Sequence, residues 1–268
     1  MNHASPNRRS ILINMTTRRN FIKTAAIGSA TAISIPAIVN SAFAGKKIKK
    51  IALKKDDTIL FHGDSITDSG RDWGKHEFNT IPGLGHGYVL LSSAELLNKH
   101  ADKNLTIYNK GISGFKSNQL LDRWGEDFMK IKPNVVSIMI GVNDYWHTFI
   151  PSINYKGTLD DYRANYRKLL DNIKKELPGT KLIIGEPFGV KVVKVVDEKW
   201  YPVFDTYRHV STEMATEFGA TFLPYQTVFD EALKVAPGSY WTTDGVHPTI
   251  AGTSLMSHAW LKAIEKDK

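Results

Sequence analysis

A serine at position 65, an aspartate at 244 and a histidine at 247 are the side-chain types that transfer acyl groups through a hydroxyl nucleophile. A serine hydroxyl is weak near neutral pH, so it needs an imidazole in hydrogen-bond reach, and the imidazole needs an acceptor to fix its tautomer. Ser65 stands in Gly63-Asp64-Ser65-Ile66-Thr67, just past the apolar run Thr58-Ile59-Leu60-Phe61, and the other two stand in Asp244-Gly245-Val246-His247-Pro248, close to the C-terminus. Either motif alone is common in proteins without catalytic activity. Their positions relative to the secondary structure join them.

The chain alternates short apolar runs with longer amphipathic segments. Strands are expected at Thr58–Phe61, Leu105–Tyr108, Val135–Ile140, Lys181–Ile184 and Thr221–Leu223, each apolar enough for a sheet buried on both faces. Helices are expected at Tyr88–Lys99, Asn118–Lys130, Leu159–Glu176 and Val203–Phe218, with a closing helix from Ile250 to Lys266. In the third, Tyr162, Tyr166, Leu169, Leu170, Ile173 and Leu177 recur at spacings of three and four, and Pro178-Gly179 stops it. This alternation predicts an α/β fold, a three-layer α/β/α sandwich around a mostly parallel five-stranded sheet, with chemistry at the carboxyl ends of the strands. Ser65 then falls beyond the first strand and His247 before the last helix, at one edge. Asn109-Lys110-Gly111-Ile112-Ser113-Gly114 and Gly141-Val142-Asn143-Asp144 fall there too. A tetrahedral intermediate needs fixed donors where its oxyanion forms, and the Ser65 NH, the Gly111 NH and the Asn143 amide are the expected ones.

Residues 1–44 read as an address. Thr17-Arg18-Arg19-Asn20-Phe21-Ile22-Lys23, a mildly apolar stretch from Ala25 to Val39 and Ala42-Phe43-Ala44 have the pattern of a twin-arginine export signal cut after Ala44. The export machinery is then a partner, and the mature protein is periplasmic or secreted. Met15 is an alternative start, which would make residues 1–14 a mis-assigned leader. Gly28, Ser29, Thr31, Ser34, Pro36 and Asn40 interrupt the apolar stretch too often for a bilayer span, so no stable membrane anchor is expected. Residues 45–56, with Lys46, Lys47, Lys49, Lys50, Lys54 and Lys55, read as a lysine-rich linker, and 57–268 as the catalytic domain.

The net charge falls once the signal is set aside. The chain has 35 basic and 27 acidic residues, and five of the basic ones lie in residues 1–44, which hold no acid; 30 against 27 leaves a net charge of +3. That excludes nucleic acid as an expected partner. There is no cysteine, hence no disulfide framework, no thiolate zinc site and no lipid-bearing cysteine. His62, His76, His86, His147, His209 and His258 follow no ligand spacing, so neither metal nor cofactor is expected.

Ser65, Gly111, Asn143 and His247, each in its own block and in this order, resemble the SGNH or GDSL-type hydrolase family across nearly the whole mature length. The resemblance implies a flavodoxin-like sandwich, a Ser65 nucleophile, a His247 base oriented by Asp244, and an oxyanion hole of Ser65 NH, Gly111 NH and Asn143. Ile66 replaces the family's leucine, a conservative change. The G-x-S-x-G elbow of the α/β-hydrolases is absent, which argues against that fold and not against ester chemistry.

Asp64 and Asp144 read as turn or capping residues. Gly83-Leu84-Gly85-His86-Gly87 lacks the lysine of a phosphate loop and reads as plain loop. Trp146 and Trp241, near the catalytic blocks, are the expected sugar contacts. The expected function is hydrolysis of short acyl esters, O-acetyl groups on a carbohydrate, with a small-molecule or oligosaccharide ester as partner. A lysophospholipase or acyl-thioesterase of the same chemistry and a non-catalytic carbohydrate-binding protein are the alternatives.

Overall fold

The structure, a computed structural model, describes residues 34–75, 77–191 and 193–265. The twin-arginine stretch and Met15 lie outside them. The chain divides into a unit ending at Ser34 and a compact unit, Ile35–Lys268, that holds every element below.

In chain order these are α1 (Ile35–Ala42), β1 (Thr58–Gly63), α2 (Ser65–Asp68), α3 (Ile81–Leu84), α4 (Tyr88–Lys99), β2 (Thr106–Asn109), α5 (Ser117–Asp122), β3 (Val135–Met139), α6 (Val142–Trp146), α7 (Leu159–Glu176), β4 (Lys181–Gly185), α8 (Val203–Glu217), β5 (Thr221–Leu223), α9 (Tyr225–Leu233), α10 (Gly238–Trp241) and α11 (Ile250–Leu261). All four strand pairings are parallel, in the order β2-β1-β3-β4-β5. Ile59, Leu60, Phe61, Val135, Val136, Ile138, Ile183 and Ile184 are fully buried, the condition a sheet covered on both faces imposes. In this order β2 is added on one side of β1 and β3 to β5 on the other, so the strand order switches between β1 and β3. Their carboxyl ends flank the switch point where open α/β sheets bind ligands.

The strands start and stop within two residues of the sequence expectation. Helix α7 fits residue for residue. The Thr158 hydroxyl accepts the Asp161 NH while the Asp161 carboxylate accepts the Thr158 NH, a reciprocal cap that starts it. Tyr162, Tyr166, Leu169, Leu170 and Ile173 are buried along one face.

Three expectations need correction. The predicted helix over 118–130 is α5 followed by a π-helical turn, Trp124–Met129. The extra residue per turn lets both Asp127 and Phe128 face the interior, where Phe128 stacks on His62 at 5.3 Å and Asp127 accepts from His62 and Arg123. The closing helix ends at Leu261, because the chain then bridges to the N-terminal side: the Ile51 NH donates to Ala263 O at 2.7 Å and the Glu265 NH to Ile51 O at 3.0 Å. Residues 45–56 are for the same reason no free linker, since Ile51 and Leu53 are buried under exposed lysines. Upstream, α1 packs on α9 and α11 through Ile38, Val39 and Ala42, with Ser41 Oγ donating to Glu231 at 2.8 Å. No helix among the described residues is long and apolar enough to cross a membrane.

Candidate active site

Strand β1 ends at Gly63, where a Cβ would stand 2.3 Å from the Met139 carbonyl oxygen. Only glycine lets β1 lie this close to β3 at its exit. Asp64 then caps α2, its Oδ1 accepting the Ile66 NH at 3.0 Å. Ser65 is thereby the first residue of the helix, a position whose NH has no intrahelical acceptor. Burial pushes the Asp64 carboxyl up to about 7, against the pull of the Ile66 NH and of His247. Asp64 thus serves the turn, as its sequence context suggests.

The second motif folds onto the first. Gly245, at φ +99, turns the chain so that Asp244 Oδ1 accepts both the Val246 NH at 2.9 Å and the His247 NH at 2.8 Å. Asp244 Oδ2 lies 2.7 Å from His247 Nδ1, and His247 Nε2 lies 2.8 Å from Ser65 Oγ. A carboxylate only accepts, so the Nδ1 proton faces Asp244 and Nε2 is left to accept the serine proton. Burial works against the Asp244 charge, but the His247 and Val246 groups hold its carboxyl below the usual range, which keeps the acceptor ionised. The His247 side chain is 36 % exposed, so a substrate can reach it.

In the loop after β2 the unengaged NH is not the expected one. The Gly111 NH donates to Asn109 Oδ1 at 2.9 Å and is therefore committed. Gly111 is glycine for packing, since a Cβ there would meet the Asp68 nitrogen at 2.4 Å. Next along the loop, the Ile112 NH donates to Gly63 O and the Ser113 NH to Asp68 Oδ2. Phe115 NH donates to Ile112 O. The Gly114 NH has no acceptor among the described residues, and neither has the Ser65 NH. Gly114, at φ +82, sits in the left-handed region that turns its NH out of the loop's own network. Asn143 is buried at the start of α6 with one Nδ2–H given to Phe115 O at 3.0 Å, which leaves its second amide hydrogen available. Ser65 NH, Gly114 NH and Asn143 Nδ2 are thus the free donors, with Gly114 in place of Gly111.

The loop is held from behind. Buried Arg71 donates through Nε to Gly111 O at 2.7 Å, and Asp68 accepts both the Ser113 NH at 3.0 Å and its hydroxyl at 2.6 Å. Asp144 accepts the Ser117 NH and, at 2.6 Å, its hydroxyl, joining α6 to α5 as a brace; burial pushes its carboxyl up to about 6.

The two tryptophans separate. Trp146 is half-buried with its ring 6.3 Å from the His247 ring, at the edge of the site. Trp241 is 3 % exposed and donates to Ala236 O at 3.2 Å, so it belongs to the core and offers no face to a ligand. Residue type placed both near the catalytic blocks; only packing distinguishes them.

Known proteins share this architecture. The pattern of the GDSL-like lipase/acylhydrolase family matches residues 61–255. An acetylxylan esterase of Geobacillus stearothermophilus is 34% identical over 210 residues, 78% of this chain and 94% of that protein. A solved protein of Parabacteroides merdae described as a GDSL-like lipase superposes with a TM-score of 0.77 at 46% identity, over 80% of this chain and 98% of that one. The crystal structure of the Geobacillus esterase gives 0.72 at 32% identity, over 81% and 98%. Catalytic mutants of that enzyme replace a serine, an aspartate and a histidine, the last two three positions apart, the spacing of Asp244 and His247.

Proposed function

The chain belongs to the GDSL-like lipase/acylhydrolase family, and on that premise we propose that it is a serine esterase removing O-acetyl groups from carbohydrates through Ser65, His247 and Asp244. The observation that carries the assignment is the unbroken path of 2.8 Å and 2.7 Å from Ser65 Oγ through His247 to Asp244, beside three unengaged donors. Ser65 Oγ attacks the ester carbonyl carbon while His247 Nε2 takes its proton. Ser65 NH, Gly114 NH and Asn143 Nδ2 stabilise the oxyanion. Collapse breaks the bond to the sugar oxygen, which receives the proton from His247. Water then attacks the acetyl-serine carbonyl carbon, its proton passing to His247; collapse breaks the bond to Ser65 Oγ, which recovers the proton from His247, and acetate leaves.

The acetyl-carbohydrate substrate is supported by the identity to the acetylxylan esterase and by Trp146, whose flat face near His247 suits a sugar ring. The twin-arginine motif supports an exported enzyme, which fractionation of the producing cell and N-terminal sequencing would test. For the activity, acetate release is measured on acetylated plant, algal and bacterial polysaccharides, beside p-nitrophenyl esters of increasing chain length and the Ser65→Ala variant. Release that vanishes in the variant is expected. Activity confined to long acyl chains would overturn the reading.

A further inference from the structure

Lys116 is a half-buried cation beside the Gly114 loop with no carboxylate partner among the described residues. Its Nζ lies 3.3 Å from the Gly114 carbonyl oxygen, 3.4 Å from His147 Nδ1 and 5.0 Å from the centre of the Tyr155 ring. Both polar distances are long for an ammonium donor. Among the described residues no aspartate or glutamate pairs with it, and Asp144, the acid whose field reaches it, is given over to Ser117. Burial pushes the ammonium pKa down and Asp144 offsets this only in part. A partly desolvated charge without a counterion gains more from an arriving anion than an exposed lysine does.

His147 extends the same wall. An ammonium only donates, so His147 Nδ1 accepts and the ring proton sits on Nε2. Burial and the Lys116 charge push the ring's pKa down to about 4, which keeps it neutral in ordinary buffers. A Cβ on Gly114 would stand 3.8 Å from His147 Cε1, so this ring borders Gly114. Trp146, the preceding residue, reaches to 6.3 Å from His247. The wall thus runs from an aromatic face at the base to a neutral imidazole and a cation at the oxyanion loop.

We propose that Lys116 is a subsite for a carboxylate on the acetylated saccharide, so that the enzyme prefers acetyl esters of uronate-bearing oligosaccharides to those of neutral ones. This rests on the carbohydrate-esterase reading and names the substrate class within it. A lysine that only braced Gly114 would act on every substrate alike.

The test compares kcat and KM for acetate release from acetylated xylo-oligosaccharides with and without glucuronate branches, at matched acetyl content and at low and high salt. The wild-type enzyme is expected to favour the acidic substrate by about tenfold in kcat/KM, the ratio that about 1.4 kcal/mol from one charge-assisted contact gives, and to lose much of that preference at high salt. Lys116→Met should bring the ratio toward one through KM, and Lys116→Arg should keep it. Equal wild-type efficiency on the two substrates would overturn the proposal, as would a ratio unchanged in Lys116→Met or an equal loss of kcat on both. Lys116→Gln gives an independent reading if Lys116→Met fails to fold: its ratio should fall, and an unaltered ratio counts against the subsite. Turnover of p-nitrophenyl acetate with none of either saccharide would instead refute the carbohydrate reading, and the subsite with it.

Discussion

Among the described residues two histidine–aspartate pairs stand out, and only one has the geometry that the proposed catalysis needs. His247 and Asp244 meet at 2.7 Å on a partly exposed loop, with the second ring nitrogen turned to the Ser65 hydroxyl. His62 and Asp127 meet at 3.1 Å in the interior, both side chains wholly buried, and the second ring nitrogen accepts the Gly63 NH at 2.9 Å. Asp127 is further held by Nε and Nη2 of Arg123, and Phe128 stacks on the His62 ring. The interior pair has spent every donor and acceptor on structure. The exposed pair keeps one nitrogen for the proton that must move.

That contrast makes distinct predictions for the two pairs. Ser65→Ala or His247→Ala should lower kcat by about 10⁴-fold or more with no change in thermal unfolding, because neither side chain carries the fold. A residual rate within about tenfold of wild type in either protein would erase the distinction. Asp127→Ala should do the opposite. Stranding the Arg123 charge and the His62 ring costs about 3–5 kcal/mol of stability, read by denaturant unfolding, while kcat of the fraction that remains folded stays close to wild type. A fully stable Asp127→Ala protein would show that the interior pair has been misread.

Asn143→Ala sharpens the account on the catalytic side. Loss of one oxyanion donor should lower kcat by about 10²–10³-fold with KM little changed. A near-normal kcat in a folded protein would remove Asn143 from the hole.

The smallest effect concerns pH. Burial holds the His62 pKa below its ordinary 6.5, the Asp127 contact opposing only in part. The unfolded chain therefore takes up a proton that the folded ring refuses, so His62's share of stability is complete above about 6.5 and falls as pH drops below it. Asp64 and Asp144, raised to about 7 and about 6, act with the opposite sign: their share is complete below the ordinary carboxylate range and declines as pH rises toward those values. The net slope mixes the two. The difference between wild type and His62→Gln isolates the histidine, and the wild-type protein should lose more stability than the variant between pH 6.5 and 4. Parallel pH profiles would contradict this.

The parts of this arrangement that a residue type dictates were open to sequence reasoning. Strands buried on both faces must be apolar runs, and the stripe Tyr162, Tyr166, Leu169, Leu170 and Ile173 has one reading as a helix face. The serine, histidine and aspartate motifs point to one edge as soon as the alternation is read. What stayed hidden depends on where groups point. Gly111 and Gly114 are the same residue three positions apart, and only the backbone path shows which NH is spent on Asn109 and which is free. Trp146 and Trp241 likewise differ in burial alone. The π-helical turn that brings Asp127 to His62 leaves no mark in periodicity over so short a segment.

The most direct test is rapid quenching of the enzyme during the first turnover of an acetylated xylo-oligosaccharide, followed by peptide mapping by mass spectrometry. An acetyl group on Ser65 should appear before acetate accumulates and be absent from Ser65→Ala. Full acetate release with no acetyl on Ser65, or release that persists in Ser65→Ala, would contradict the proposed mechanism.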